Sequence, residues 1–563
     1  MTDPLEKKWI IADKIPFEIE SALQSFPPPI RQILYNRGCT TLEAAEIYLS
    51  AGGEIHDPFL LKDMDRVVAR LENAIKKGEK IAIYGDYDVD GVTATVLLVE
   101  VLRALGGEVT EYIPNRFDEG YGLNKEALDL LVQQGHKVVV TVDCGIRSPL
   151  EAEFACEKGL DLIISDHHHP RGDLPNAFAV ICQKQEGDSY PNKNLAGVGL
   201  AYKIAQALVR DMKSTDIDIL RWLDLVALGT VADIVPLVGE NRALVRAGLA
   251  QIRAGKRPGI FSLANVAGVD IQKISASDIG FMLGPRLNAS GRLDTALESF
   301  RLLIARNIED AAPAALKLDS QNRERQKLTQ EIQKQATEKA VRTGDELLLF
   351  AVDEGFNEGI VGLAAAKLTE TYYRPAIVGK RDKDSTRASC RSIPEFHITS
   401  ALDECADLLI RHGGHAMAAG FTVKNENLDE LISKLNKIAE RDLSRQLLQP
   451  KITADVEIPL RSLKPDLLPF LDDLQPTGLG NPEALFISRG LKVQRYKPVG
   501  SENKHLKLTV SDGGIVFDAI AFRKGEWALK MPIMVDLLYS FERNEYNGFS
   551  SLQLNVKDIH SSL

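Results

Sequence analysis

The stretch "IAIYGDYDVDGVTATVLL", Ile81 to Leu98, decides how this chain is read. Asp86, Asp88 and Asp90 alternate with other residues and run straight into Gly91, which is how a calcium-binding EF-hand loop opens. Such a loop needs a bidentate acid at its twelfth position; counted from Asp86, that position is Leu97. It also needs a helix before the acids, yet "KIAIYG" is a short, isoleucine-rich apolar run closed by a glycine, the pattern of a strand. The calcium-sensor reading fails on both counts. What remains is a strand that ends in three carboxylates and then enters the helix "VTATVLLVEVLRALGG".

Outward from this stretch the alternation continues through "EVTEYIP", "NKEALDLLVQQG", "HKVVVTVD", "SPLEAEFACEKG" and "LDLIISD". Apolar runs alternating with amphipathic helices predict a parallel α/β sheet. After "LVALGTVADIVPL" helices take over, and Pro313 to Thr343 is charged, glycine-free and continuous. It reads as one helix of roughly 30 residues, about 45 Å long, polar enough to be a spacer between domains. A second, smaller α/β unit follows, with "ELLLFAVDE", "RPAIVGK", "STRASCRS" and the glycine-rich "RHGGHAMAAGFTV". From about residue 450 alternating strand patterns dominate, with "SDGG" and "NEYNG" where hairpin turns belong. A small β-barrel of OB type is the expected outcome. The predicted domains are a helical extension over 1–70, a parallel-sheet domain over 71–250, a helical region with the long helix over 251–345, a smaller α/β domain over 346–448 and an OB-like domain over 449–563.

At 563 residues the chain is too long for one ordinary domain. Its 44% hydrophobic and 26% charged residues are those of a soluble globular protein. "MTDPLEKKWI" carries acids and lysines where an export signal needs an apolar core. The apolar "WLDLVALGTVADIVPLV" contains Asp224, Asp233 and Pro236, which suits a buried soluble segment and not a membrane span. Cys39, Cys144, Cys156, Cys182, Cys390 and Cys405 form no C-x-x-C pair, so reduced thiols in a cytoplasmic protein are expected. A net charge of −11 argues against a positive coat for indiscriminate nucleic-acid binding, although a local basic groove is compatible with it.

Four apolar segments end in, or run through, groups that bind metals. Asp86, Asp88 and Asp90 follow the first, Asp143 ends "KVVVTVD", Asp166, His167, His168 and His169 end "LDLIISDHHH", and Asp233 lies in "LVALGTVADIVP". In an open parallel sheet, ligands bind beyond the carboxyl ends of the strands, where the strand order reverses. If these segments are neighbouring strands and their loops, all four groups meet at one edge, and a buried cluster of acids there needs cations. A single aspartate at a strand end is usually a cap or turn residue; the conjunction is what points to a site. Hard carboxylate oxygens with one or two imidazoles suit Mn²⁺ or Mg²⁺. Two ions about 3.5–4 Å apart with a bridging carboxylate would suit in-line attack at phosphorus.

"DYDVDG", the strand-end Asp143, "DHHHP" and the "ADIVP" aspartate resemble the DHH phosphoesterase superfamily, and "GGHAMAAGF" resembles the motif of its DHHA1 domain. With "GPRLNASGRL", "PTGLGNP" and an OB-like C-terminal domain, the resemblance is to the RecJ family of single-strand-specific 5′→3′ DNA exonucleases and covers about residue 50 to the end. It implies two divalent cations, Mn²⁺ or Mg²⁺, held by Asp86, Asp88, Asp143 as the bridge, His167 and Asp233. It further implies that His168 touches the scissile phosphate or a metal, that Asp90 coordinates or holds its neighbours, and that Asp166 orients a histidine. Related small-substrate phosphatases carry a histidine four residues before the first aspartate; here that position is Ala82. Arg116, Arg286, Asn288 and Arg292 match substrate-contacting positions, and Ser389 with Arg391, and Gly414 with His415, match a phosphate pocket. The two α/β lobes would then form a cleft whose separation the long helix sets. In the C-terminal domain Tyr496, Phe522, Trp527, Tyr539, Tyr546 and Phe549 are interleaved with Lys492, Arg495, Lys497, Arg523 and Arg543, a mixture suited to stacking bases and tracking a backbone. The implied partners are single-stranded DNA with a 5′ end, a single-strand-binding protein and a RecQ-type helicase, with no membrane and a monomeric chain. Two alternatives compete: a DHH phosphatase of oligoribonucleotides or cyclic dinucleotides, and an inactive DHH scaffold of a replication complex.

Overall fold

The computed structural model describes residues 6–115, 119, 122–341, 346–546 and 549–562. The chain divides into two compact units, one made of Ile11–Asp319 with Thr453–Leu563, the other of Met1–Ile10 with Ser320–Ile452. In the first unit the strands β1 (Lys80–Gly85), β2 (Val109–Tyr112), β3 (His136–Val142), β4 (Asp161–Ser165) and β5 (Ala179–Ile181) form an all-parallel sheet in the order β2-β1-β3-β4-β5. Helices cover both faces, so β1, β3 and β4 are apolar runs rich in isoleucine and valine with almost every side chain buried. The strand order reverses between β1 and β3, and the segments carrying Asp86 and Asp143 leave those two strands.

The acid motif also starts a helix. Asp88 is the N-cap of α1 (Val89–Ala104), accepting the backbone N–H groups of Asp90 at 2.9 Å and Gly91 at 3.1 Å. Helices α2 (Gly197–Asp211) and α3 (Leu223–Ala232) pack against α1. The α3 segment differs from the strand reading of "LVALGTVADIVP": it is helical, and Leu223 through Thr230 are all buried. A helix buried on every side is apolar all round and loses the 3.6-residue period that would distinguish it from a buried strand. A π-helical turn, Ile279–Leu283, leads into α4 (Gly284–Leu293). The long helix α5 (Ile308–Ala340) has 33 residues and starts before Pro313, which sits inside its second turn. Among the described residues no helix is long and apolar enough to cross a membrane.

The second unit holds a five-stranded mixed sheet: β6 (Leu349–Asp353), β7 (Ala376–Arg381), β8 (Ser385–Arg391), β9 (Leu409–His415) and β10 (Ala418–Lys424), ordered β9-β10-β8-β7-β6. Only β6 and β7 pair in parallel. Helix α6 (Val361–Tyr372) packs on β7 and β8. The glycine-rich "GGHAMAAGF" is a hairpin, not a free loop. At Gly414, with φ +150°, an added Cβ would stand 2.4 Å from the Ala418 carbonyl oxygen, so no side chain fits.

In the first unit the C-terminal strands β11 (Phe486–Val499), β12 (His505–Asp512), β13 (Ile515–Ala521), β14 (Met534–Tyr546) and β15 (Phe549–Ser561) close in the order β11-β12-β13-β15-β14-β11, a five-stranded barrel as expected for an OB fold. Its interior continues into the N-terminal helices, where Ile30, Ile33 and Leu34 share one core with Leu460, Phe486 and Tyr539. Arg242 ties this body to the parallel-sheet domain, donating to the carbonyls of Asp473 at 2.7 Å, Gln475 at 3.2 Å and Tyr48.

Candidate metal centre and active site

The sheet edge predicted from the strand-end acids exists, and four separate chain segments meet there. Asp86 and Asp88 leave β1, Asp143 leaves β3, Asp166 to His168 leave β4, and Asp233 caps the C-terminal end of α3. His167 is the hub: its Nε2 lies 3.1 Å from Asp143 Oδ1, 3.5 Å from Asp233 Oδ2 and 3.9 Å from Asp90 Oδ2. Three groups of donor atoms lie close enough to share an ion: Asp86 with Asp88 and Asp143; Asp143 with His167 and His168; Asp90 with His167 and Asp233. Within each group the ligand atoms lie within 4.8 Å of one another. Asp143 belongs to two of the groups, and its backbone holds the left-handed conformation at φ +63°, uncommon outside glycine.

Two neighbours are fixed by hydrogen bonds. Asp90 is buried at the α1 N-terminus and accepts the N–H of Gly197 at 2.6 Å and of Val198 at 2.8 Å, so it joins the acid motif to the first turn of α2. Asp166 accepts the Ile146 N–H at 3.0 Å and the His168 N–H at 3.0 Å, and its Oδ1 lies 2.7 Å from His168 Nδ1. That contact places the Nδ1 proton toward Asp166 and fixes the orientation of the half-buried His168 ring.

The electrostatics are those of a cation site. Burial, reinforced by Asp90, Asp88, Asp86 and Asp233, pushes the Asp143 carboxyl well above the usual range. Burial with the charges of Asp90 and Asp88 lifts Asp233 to about 9, and burial with Asp88 lifts Asp90 to about 7. Burial and the neighbouring His168 depress His167 to about 3, keeping its imidazole neutral with a lone pair to give. Burial opposes ionisation of Asp166, but the hydrogen bonds and charge of His168 outweigh it and hold it low. Crowded hard oxygens beside imidazole nitrogens, with ligand atoms already gathered, fit divalent Mn²⁺ or Mg²⁺ and not a thiolate-seeking metal.

Close packing sets these positions. An added Cβ at Gly229 on α3 would stand 2.4 Å from Thr93 Oγ1, 2.7 Å from Val198 Cγ1 and 2.8 Å from Asp90 Oδ1. Gly229→Ala is therefore expected to destabilise the fold by about 1–3 kcal/mol and to weaken Mn²⁺ binding, read as a smaller Mn²⁺-induced rise in thermal midpoint.

The other predicted residues fall in two places. Arg286, Asn288 and Arg292 lie on α4, in the same unit as the acids. Arg286 pairs with Asp319 at 2.9 Å and donates to the Met282 carbonyl, while Asn288 Oδ1 accepts the Val89 N–H at 3.2 Å, bracing the start of α1. Ser389 and Arg391 lie two residues apart on β8 of the other unit, opposite Gly420 and Ala418 of β10. A Cβ on Gly362, in the first turn of α6, would stand 3.0 Å from Ser389 Oγ and 3.4 Å from Arg391 Nη2. Gly414 and His415 end β9, and His415 is exposed. Arg116 and the side chains of Tyr546 and Phe549 lie outside the described residues. Of the other barrel aromatics, Tyr496 and Phe522 are exposed, Trp527 packs on the core, and Tyr539 is fully buried with its hydroxyl 2.7 Å from Ser488 Oγ.

Two features of this edge leave no pattern in the sequence. One is the α2 N-terminus, "LAGVG", whose amides hold Asp90. The other is Lys184, half-buried, which feels the charges of Asp233 and Asp166. It follows β5, a three-residue strand too short to register as a pattern.

Comparisons with known proteins follow the same outline. Residues 80–230 match the DHH family, N-terminal domain, residues 344–441 the DHHA1 domain, and residues 454–558 the RecJ OB domain. The chain is 37% identical over 559 residues to the single-stranded-DNA-specific exonuclease RecJ of Salmonella typhimurium, spanning 95% of this chain and 96% of that one. It is 36% identical to the protein of the same name from Bacillus subtilis, spanning 94% of this chain and 68% of that one. Among solved structures, RecJ of Thermus thermophilus in complex with Mn²⁺ superposes with a TM-score of 0.84 at 27% identity, covering 100% of this chain and 80% of that one. An exonuclease RecJ bound to manganese gives a TM-score of 0.60 at 32% identity, covering 69% of this chain and 97% of that one. With its parallel-sheet, DHHA1 and OB domains in this order and its acids and histidines gathered at one sheet edge, the chain belongs to the RecJ family.

Proposed function

We propose that this chain is a metal-dependent exonuclease that hydrolyses the phosphodiester bonds of single-stranded DNA in the 5′→3′ direction. The observation that carries the reading is the convergence of Asp86, Asp88, Asp90, Asp143, His167, His168 and Asp233 at one edge in a chain of this family. Asp86, Asp88, Asp143, His167 and Asp233 would hold two divalent cations, with Asp143 serving both. When bound, such ions supply a hydroxide nucleophile at neutral pH and neutralise charge on the phosphoryl oxygens. The protein's own groups do the positioning. Asp166 fixes the His168 ring so that Nε2 faces the scissile phosphate, and Asp90, anchored on the α2 amides, keeps the β1 loop from retreating.

In the other unit, Ser389 and Arg391 beside the first turn of α6 suit the 5′-terminal phosphate, with Gly414 and His415 as further contacts. Arg286, Asn288 and Arg292 serve the strand near the acids. The exposed Tyr496 and Phe522 among Lys492, Arg495, Lys497 and Arg523 suit single-strand binding by the barrel. The same reading includes work in recombination and repair in the cytoplasm, as a monomer, beside a single-strand-binding protein and a RecQ-type helicase.

The test is digestion of a long single strand labelled at its 5′ end or its 3′ end. With Mn²⁺ the 5′ label is released first as short products, and a blunt duplex resists. Chelation with EDTA is expected to lower the rate by more than about 100-fold, and added Mn²⁺ restores it. Cleavage of dinucleotides alone would assign the chain to the small-substrate phosphatases. Intact DNA in the presence of Mn²⁺ would favour the inactive scaffold.

A further inference from the structure

One residue beside the acids is an exposed isoleucine in a backbone position that suits glycine. Ile234 follows Asp233 directly and takes φ +59°. This is the position just past the α3 C-terminus, which helices commonly give to glycine or asparagine because a side chain there crowds the backbone. For a β-branched residue the left-handed region is a genuine outlier, and such strain collects where function needs it. Burial does not account for the isoleucine, since Ile234 is 69% exposed. A second irregularity adjoins it. The π-helical turn Ile279–Leu283 and the first residue of α4 pack on the last turn of α3: ideal Cβ atoms at Gly280 and Gly284 would stand 3.9 Å from Val231 Cγ1 and 3.7 Å from Ala232 Cβ. That turn presents Phe281, 79% exposed. π-turns are rare and frequent at functional sites.

Two strained or irregular backbones thus present large apolar side chains to solvent, one of them joined by a single peptide bond to an acid 3.5 Å from His167 Nε2. The entrance to this cluster must stay open to substrate, so the substrate itself is the occupant that fits. In a nucleic acid the base hangs one sugar away from its phosphate, so an apolar side chain adjoining a phosphate-binding centre meets a base. Aliphatic contact carries no hydrogen-bond code, which suits an enzyme that must accept every base.

We propose that Ile234 is a substrate-positioning residue that packs against the nucleobase next to the scissile phosphate. This rests on the nuclease reading above. Its test compares single strands with an abasic nucleotide on one side or the other of the first scissile bond against the intact strand, all with Mn²⁺. The wild type is expected to lose about tenfold in kcat/KM on one of the two abasic strands. Ile234→Gly and Ile234→Asn, both at ease in the left-handed conformation, are expected to raise KM for the intact strand and shrink that discrimination to about twofold or less. Their thermal midpoints should stay level or rise. Discrimination unchanged in both variants, or absent in the wild type, overturns the base contact. So does a loss confined to kcat that tracks a fall in thermal midpoint. A wild type that cleaves not even the intact strand overturns the nuclease reading, a separate result.

Discussion

An Asp143→Ala variant loses hydrolysis of single-stranded DNA by more than about 100-fold, beyond what removal of an outer partner of a metal ligand usually costs. It binds the same DNA within a few-fold of wild type, measured by fluorescence anisotropy in Ca²⁺ or EDTA. The reason is position. Asp143 is shared between the group with Asp86 and Asp88 and the group with His167 and His168, so its loss strips both ion positions at once. The contacts proposed for the strand, on α4, in the second unit and on the barrel, are untouched. A stability signature accompanies the loss. Asp143 is buried among like charges, so without metal it is a liability to the fold, and its removal relieves that crowding. The metal-free variant should melt no lower than the metal-free wild type, while the rise in thermal midpoint that Mn²⁺ gives the wild type disappears. Turnover at the wild-type rate in Asp143→Ala would remove the centre proposed here.

The largest stability effect is expected at Arg257, far from the acids in sequence. Its guanidinium is mostly, though not fully, buried and binds two carboxylates: Nε is 2.7 Å from Asp224 Oδ2, Nη1 is 3.1 Å from Glu100 Oε1, and Nη1 also donates to the Leu303 carbonyl at 2.9 Å. Glu100 further accepts the Trp222 Nε1–H at 2.6 Å. Glu100 lies on α1 and Asp224 on α3, the helices whose other ends bear Asp88 and Asp233. Arg257→Met leaves the partly buried Glu100 and the buried Asp224 without their shared cation, which costs about 3 kcal/mol, the lower end for a buried pair. At a few degrees per kcal/mol for a domain of this size, the thermal midpoint falls by roughly 10 °C. Adding Glu100→Gln and Asp224→Asn should recover much of that loss, because a neutral buried set does not need the guanidinium. A drop of a degree or less in the single variant would show that the bridge carries little of the link between α1 and α3.

The sequence revealed this site unevenly, for reasons visible residue by residue. Asp86, Asp88 and Asp143 were legible because buried parallel strands are unbroken isoleucine and valine runs, and the residue after such a run lies at the ligand edge. The OB barrel was legible from alternating strands with glycine turns. Asp233 is legible, but its carrier does not show itself as a helix, because α3 is apolar on every face. The sequence marks Pro313 as the start of α5, yet the helix begins at Ile308, since a proline reads as a boundary even where a helix passes through it. Lys184 and the Gly197–Val198 amides escaped notice because they act through tertiary approach: one follows a strand of three residues, the others bind an aspartate more than 100 residues away. Ile234 was invisible for a different reason. Its meaning lies in a backbone angle and an exposure, and neither is written in the residue type.

Titration of the metal-free protein with Mn²⁺, followed by calorimetry and by electron paramagnetic resonance, addresses the central claim directly. Two ions per chain with coupled spins are expected, with loss of the coupled pair in Asp143→Ala. Binding of no ion, or an unaltered two-ion signal after Asp143 is gone, would contradict it.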